Sequence, residues 1–176
     1  MMLIFYSKSE DANAKYLSNY TKTDGLVIDE AYFPTPNNVL CNKVFPTIEH
    51  AFQAYKLGRS YAPEHLINKL INTTDPSIVK RMGGRRFFKE NGLTLYISEW
   101  NYASVHIMRY LVRQRLHIDD KYKSIIKKAV NNNIKLYHFE RSGKRSIWGG
   151  YLDNNTGKWV GQNKLGQILE DEYLLI

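Results

Sequence analysis

The chain has 176 residues, a formal net charge of +8 and a single cysteine, Cys41. One cysteine excludes an internal disulfide, and no apolar run reaches the roughly 18 residues that a membrane-spanning helix needs. The length predicts one domain over residues 1–176, and the excess of lysine and arginine favours polyanionic or phosphorylated partners. We therefore expect a soluble, cytoplasmic protein that does not bind membranes.

Hydrophobic periodicity and turn residues predict a β-rich start followed mainly by helices. Strands are predicted at 3–6, 26–28, 39–44 and 134–139. Helices are predicted at 47–57, 63–72, 76–82, 98–116, 119–130 and 163–173. The stretch 87–97 is ambiguous, with Asn91-Gly92 as a hairpin or loop turn, and the Gly-, Asn- and Trp-rich stretch 142–161 is predicted to be a loop.

The predicted helix 47–57 carries reactive side chains on one face. Thr47 follows a proline and is placed to cap the helix. At about 100° per residue, Glu49, Gln53 and Lys56 fall within about 60° of one another, beside an apolar stripe. A carboxylate, an amide and an amine therefore converge, which indicates a candidate site. The alternative is an ordinary amphipathic helix whose Glu49 and Lys56 are solvated.

A second candidate is the cluster of four cations around Gly83-Gly84. Lys80, Arg81, Arg85 and Arg86 flank this pair and precede two phenylalanines. Such a cluster can cradle a phosphate or contact a nucleic-acid backbone, and its alternative is a solvated charged loop.

The histidines do not predict a metal centre. The five histidines lack zinc-ligand spacing, so no metal or other cofactor is expected. The glycines near the C-terminus fit neither a Walker loop nor a dinucleotide fingerprint. Trp148 and Trp159 lie in the predicted loop, where their rings would stack on a base or close over the core.

Four separated motifs span nearly the whole chain. They are Phe5-Tyr6-Ser7 with Leu17-Ser18-Asn19-Tyr20; Pro46-Thr47-x-Glu49-His50-x-Phe52-Gln53-Ala54-x-Lys56; Trp100 with Met108; and Glu140, Trp148-Gly149 and Gly161-x-Asn163-x-Leu165-Gly166. Taken together, these motifs resemble the NADAR (YbiA-like) family. The resemblance implies a compact, helix-rich α+β domain with a small β component. It also implies cleavage of N-glycosidic bonds of ribose phosphates: similar proteins act on riboflavin-pathway intermediates, and others remove ADP-ribose from modified guanine in nucleic acid.

The resemblance makes Glu49 the leading catalytic carboxylate, which would stabilise positive charge at C1′ and position water. Lys56, if desolvated, is a candidate nucleophile that would hold the sugar as an imine. Arg81 and Arg85 are candidate phosphate anchors. The other residues expected to bind substrate are Asn19, Gln53, Trp100, Glu140, Trp148, Gly149 and Asn163.

The chain also departs from the family pattern. Arg145 stands where a carboxylate, usually Asp, lies three residues before the tryptophan, so we expect Arg145 to bind substrate and to select more highly phosphorylated ligands. Arg115 replaces a lysine near the end of the long helix, and extra residues lie between Tyr20 and Val39. Two alternatives therefore stay open: a domain that binds or sequesters an ADP-ribose-like nucleotide, and a nucleic-acid binder that uses the basic cluster.

Overall fold

The computed structural model describes residues 1–176 and has an α+β fold, as the resemblance implies. By Cα proximity the chain divides into two compact units. The first unit comprises residues 1–21 and 112–176, and the second unit comprises residues 22–111. No helix combines the length and the apolar character needed to cross a membrane.

Eight α-helices and six short strands make up the regular structure. The helices are α1 (Ala12–Tyr16), α2 (Ile48–Gly58), α3 (Glu64–Ile71), α4 (Pro76–Met82), α5 (Arg85–Glu90), α6 (Ile97–Ile118), α7 (Asp120–Asn131) and α8 (Lys164–Leu174). The strands are β1 (Met2–Phe5), β2 (Leu26–Val27), β3 (Val44–Phe45), β4 (Lys135–His138), β5 (Gly150–Leu152) and β6 (Trp159–Gly161).

The second unit is built around α2. The Thr47 side chain accepts a hydrogen bond from the backbone N–H of His50, which satisfies one of the free donors at the start of this helix. Every residue of α2 except Lys56 is buried, because α3, α4 and β3 pack around it. Asp75 caps α4, Pro76 opens it and Gly83 ends it, so the helix has the bounds 76–82 that the sequence predicts. This packing fixes α2 and the Gly83-Gly84 turn next to each other.

The first unit is organised on β1 and β4, which pair in parallel from Met2 opposite Lys135 to Phe5 opposite His138. Helices α7 and α8 pack against β4 and against each other. Strands β5 and β6 form an antiparallel hairpin, and Phe139 bridges to Gly150.

A fully buried arginine holds the first unit together. The guanidinium of Arg115 donates from Nε to the Asp119 carboxylate at 3.0 Å, from Nη1 to the Ser18 carbonyl at 3.1 Å and from Nη2 to the Tyr16 carbonyl at 3.0 Å. It also lies 3.9 Å from the centre of the Tyr122 ring. These contacts tie the C-terminal turn of α6 to the segment that follows α1.

Two predicted elements are wrong. The strand predicted at 39–44 is reduced to β3, because Asn42 within it takes a positive φ of 58°, which an extended strand cannot accommodate. The loop predicted at 142–161 contains β5 and β6. The Asp153 carboxylate accepts the backbone N–H groups of Asn155 and Thr156 and so closes the turn between them. The ambiguous stretch 87–97 begins inside α5, continues through a loop at 91–96 and ends at the first residue of α6.

Candidate active site

The centre of the candidate site is a buried carboxylate and amide on α2. Glu49 is 6% exposed and Gln53 is 7% exposed. Gln53 Nε2 donates a hydrogen bond to Glu49 Oε1 at 3.0 Å, so the two side chains lie side by side, as the spacing of four residues predicts. A donor to an ionised carboxylate stabilises its charged form and fixes its orientation. The amide therefore fixes the orientation of the Glu49 carboxylate.

Gly83 makes room for this pair. A Cβ atom on Gly83 would lie 1.7 Å from Gln53 Oε1, so any side chain there would displace the amide. Gln53 Oε1 is buried and accepts no hydrogen bond from the protein. It is therefore an acceptor that a substrate hydroxyl could use. From the sequence, Gly83 is expected only at a helix end and in a phosphate cradle, and no local pattern indicates this contact.

Lys56 is held by the same glycine. Its Nζ donates to the Gly83 carbonyl at 2.6 Å and lies 5.8 Å and 5.7 Å from the ring centres of Phe88 and Trp100. Burial lowers the pKa of Lys56 below its ordinary value, and the negative charge of Glu49 partly opposes this shift. A lowered pKa increases the share of neutral amine, which is the nucleophilic form.

Two aromatic side chains form a wall beside these groups. Phe52 and Trp100 are both buried, with ring centres 5.1 Å apart and planes inclined by 59°. Their apolar surface lowers the local dielectric constant relative to water and strengthens the charge interactions of Glu49 and Lys56. Phe88, which the sequence indicates only as a neighbour of the basic cluster, is 5% exposed and belongs to this aromatic set.

His50 ties the start of α2 to the segment between α3 and α4. Its Nε2 lies 2.7 Å from the Thr73 carbonyl oxygen, and its Nδ1 lies 2.8 Å from Thr47 Oγ1. Because a carbonyl only accepts, Nε2 carries the proton and Nδ1 accepts from the Thr47 hydroxyl. Burial lowers the pKa of His50, and the bond to Thr73 partly opposes this. A neutral His50 therefore positions the helix turn that carries Glu49.

The candidate phosphate anchors Arg81 and Arg85 are exposed on either side of the Gly83-Gly84 turn. Arg81 lies in the last turn of α4 and Arg85 begins α5. Both line a groove of about 590 Å³ in the second unit. Gly84 lines the same groove, whereas the carbonyl of the preceding Gly83 receives Lys56.

The profile of the NADAR domain matches residues 4–172, nearly the whole chain. The chain belongs to the NADAR family. This is a family of N-glycosidase-like proteins. No curated protein is a significant match to the chain.

The closing NADAR motif is joined to strand β4 by backbone contacts. The Asn163 side chain accepts from His138 N–H at 2.9 Å and donates to the Leu136 carbonyl at 2.8 Å, while its own backbone takes a left-handed φ of 54°. A Cβ on Gly166 would lie 2.0 Å from the same Leu136 carbonyl. These contacts give Asn163 and Gly166 a structural function, and the role of Asn163 in substrate binding stays a prediction.

Within the first unit, Glu140 and Gly149 also lie together. Glu140 N–H donates to the Gly150 carbonyl at 2.7 Å, and a Cβ on Gly149 would lie 3.0 Å from the Glu140 Cβ. The carbonyl of Trp148 accepts from Leu165 N–H at 3.0 Å, which joins the tryptophan segment to α8. The parts of the closing NADAR motif, at Glu140, at Trp148-Gly149 and at the start of α8, are thus neighbours in space.

The remaining predicted residues differ in exposure. Asn19 is buried at 9% exposure, whereas Arg145 is exposed at the end of a 3-10 turn, Gly143–Arg145. Arg115, the other departure from the NADAR pattern, is fully buried in the structural cluster described above. No three histidine, cysteine, aspartate or glutamate side chains lie together as a metal-binding group.

Proposed function

We propose that this NADAR protein is an N-glycosidase that cleaves the bond between ribose C1′ and a base nitrogen. Its substrate is a phosphorylated ribosyl or ADP-ribosyl compound, either ADP-ribosylated guanine or a riboflavin-pathway intermediate. The observation that carries the proposal is the buried Glu49 carboxylate, bonded by Gln53 and adjoining a lysine of lowered pKa.

Glu49 acts on the charge that develops as the bond breaks. Departure of the base leaves positive charge on C1′ and the ring oxygen, which a fixed carboxylate stabilises. Water adds to C1′ and loses a proton, while the base leaves with its bonding electron pair and takes up a proton. Gln53 keeps the carboxylate oriented, and its free Oε1 is available to a ribose hydroxyl.

Lys56 supplies a covalent variant of the same reaction. Its neutral amine forms a bond to C1′ as the base leaves, loses a proton, and opens the ring to an imine that water then hydrolyses. The 2.6 Å bond to the Gly83 carbonyl holds Nζ beside Gln53, so both routes use one face of α2.

The experiment is incubation with ADP-ribosylated guanine oligonucleotides and with riboflavin-pathway intermediates, followed by mass spectrometry. From the oligonucleotide we expect ADP-ribose and the unmodified strand, and from the riboflavin-pathway intermediate we expect a free base and a ribose phosphate. In each case the sugar product has gained one water, and chelators should not affect the reaction. Borohydride added during turnover should trap a ribosyl adduct on Lys56. Turnover without an adduct would assign Lys56 an electrostatic function only.

The alternative is a domain that binds an ADP-ribose-like nucleotide without turnover, and Arg145 favours it. An exposed cation stands at the position where the family has a carboxylate. Calorimetry with matched mono- and diphosphate ligands tests this residue. Arg145→Asp should weaken binding of the diphosphate about ten- to a hundredfold more than binding of the monophosphate. Tight binding with no product from any substrate would favour the alternative, and equal effects on both ligands would remove Arg145 as a selector.

A further inference from the structure

The groove between α4 and α5 has a strongly positive lining. Four cations, Lys69, Arg81, Arg85 and Arg86, line its volume of about 590 Å³, against one carboxylate, Glu90. Arg81, Arg85 and Arg86 are exposed, so their charges face solvent. The groove therefore complements an extended anion.

Most of this charge is not used by the fold. Arg86 pairs with Glu90 at 2.7 Å, but both side chains are exposed, and such pairs contribute little to stability. Arg81 interacts electrostatically with Asp75, which caps α4. Lys69 and Arg85 make no ion pair. Removing positive charge at Arg81 and Arg85 should therefore leave the fold intact.

The groove also has an apolar side. The Phe87 ring is partly exposed in it, and Ile78 is 40% exposed in the same lining. Proteins that bind single strands combine a positive groove, which follows the phosphates, with aromatic rings on which bases stack. A paired base would be unable to reach a ring within a groove, whereas an unpaired base can.

We propose that this groove binds a single-stranded nucleic acid, with phosphates on Arg81 and Arg85 and a base on Phe87. Binding at the groove does not depend on catalysis. The functional link rests on the proposed function: Gly84 lines the groove and Gly83 holds Lys56, so a bound strand would present a modified base close to the reactive face of α2.

The test is fluorescence anisotropy with an unmodified, labelled 20-nucleotide single strand. Arg81→Gln/Arg85→Gln should bind at least about tenfold more weakly, with a salt slope reduced by about 0.7 for each phosphate that the variant no longer neutralises. The matched control is Lys127→Gln/Lys158→Gln, which removes the same charge from exposed positions in the first unit. We expect the control to change affinity less than about twofold.

Two further variants sharpen the assignment. Phe87→Ala should weaken binding of the oligonucleotide at least about fivefold and leave binding of linear polyphosphate unchanged, because only a base can stack on the ring. Glu49→Gln should bind the strand like the wild type, so failure of the proposed function and failure of the groove proposal are distinguishable. Equal losses in the groove and control variants, or tighter binding of a phosphoserine peptide than of the strand, would overturn the proposal.

Discussion

Two buried or half-buried cations show how differently the two units of this NADAR protein use charge. In the first unit, all three nitrogens of the Arg115 guanidinium donate to groups of the fold, and the group stacks on Tyr122. In the second unit, the Lys56 ammonium donates to one carbonyl, that of Gly83, and otherwise faces aromatic rings. Arg115 has its hydrogen bonds supplied by the protein, whereas Lys56 has capacity left for a ligand.

The carboxylates in the two regions have different partners. Asp119 accepts from Arg115, from the Tyr122 backbone and from the Tyr16 hydroxyl. Glu49 accepts from the amide of Gln53, whose own oxygen is left without a donor. Burial of charge therefore does not by itself indicate a catalytic site. The distinguishing feature of the second unit is the unused hydrogen-bonding capacity of Gln53 Oε1 and of the Lys56 amine.

The largest expected effect is on stability, at Arg115. Arg115→Met should lower the free energy of unfolding by about 3 to 5 kcal/mol, because the Asp119 carboxylate would stay buried without its cation. Arg115→Lys should lower the free energy of unfolding by less, since an ammonium keeps the positive charge but lacks the planar guanidinium that donates to three acceptors. Denaturant unfolding measures both. A loss below about 1 kcal/mol for the methionine variant would contradict this account of Arg115.

The next effect is on turnover, at Gly83. Gly83→Ala should slow cleavage by up to about a hundredfold, because the new Cβ displaces Gln53 and misplaces Glu49. The melting temperature should hardly change, since φ of −81° and ψ of 3° at Gly83 are accessible to alanine.

The control for Gly83 is the same change in a Gln53→Ala background, where the obstructing amide is gone. There the added methyl group should have little further effect on the rate. An equal loss in both backgrounds would show that Gly83 does not act through Gln53.

The smallest effect is a pH dependence at His50. Since burial lowers the folded-state pKa of His50, the unfolded chain takes up a proton below about pH 6.5 before the folded chain does. The free energy of unfolding should therefore decrease as the pH is lowered below about 6.5, by at most about 1.4 kcal/mol per pH unit, until the pH reaches the folded-state pKa. His50→Gln should flatten the curve between about pH 5 and 6.5. Identical slopes for variant and wild type would exclude His50 as the cause.

The structural features that depend on residues close together in the sequence could be predicted from it. The Thr47 cap and the pairing of Glu49 with Gln53 follow from helical spacing, and both are present. The contact of Gly83 with Gln53 joins residues 30 positions apart by sequence, and no local pattern encodes it. Arg115 reaches carbonyls almost 100 residues away, so its structural function is visible only once the chain is folded.

The strand errors have a similar origin. Residues 39–44 look extended by composition, but the left-handed backbone at Asn42 interrupts them. Residues 142–161 look like a loop because they include five glycines and two asparagines. There Gly150 pairs with Gly161, and a Cβ on Gly150 would lie 2.3 Å from the Val160 carbonyl, so glycine allows the strands to approach closely.

The most direct test of the central claim compares Glu49→Gln with Arg115→Met in two assays, turnover of an ADP-ribosylated guanine oligonucleotide and denaturant unfolding. Glu49→Gln should lose about a thousandfold in rate and less than about 1 kcal/mol in stability. Arg115→Met should show the reverse, with lowered stability and near-normal turnover per folded molecule. A Glu49→Gln protein that keeps more than about a tenth of the wild-type rate would contradict the assignment of Glu49 as the catalytic carboxylate.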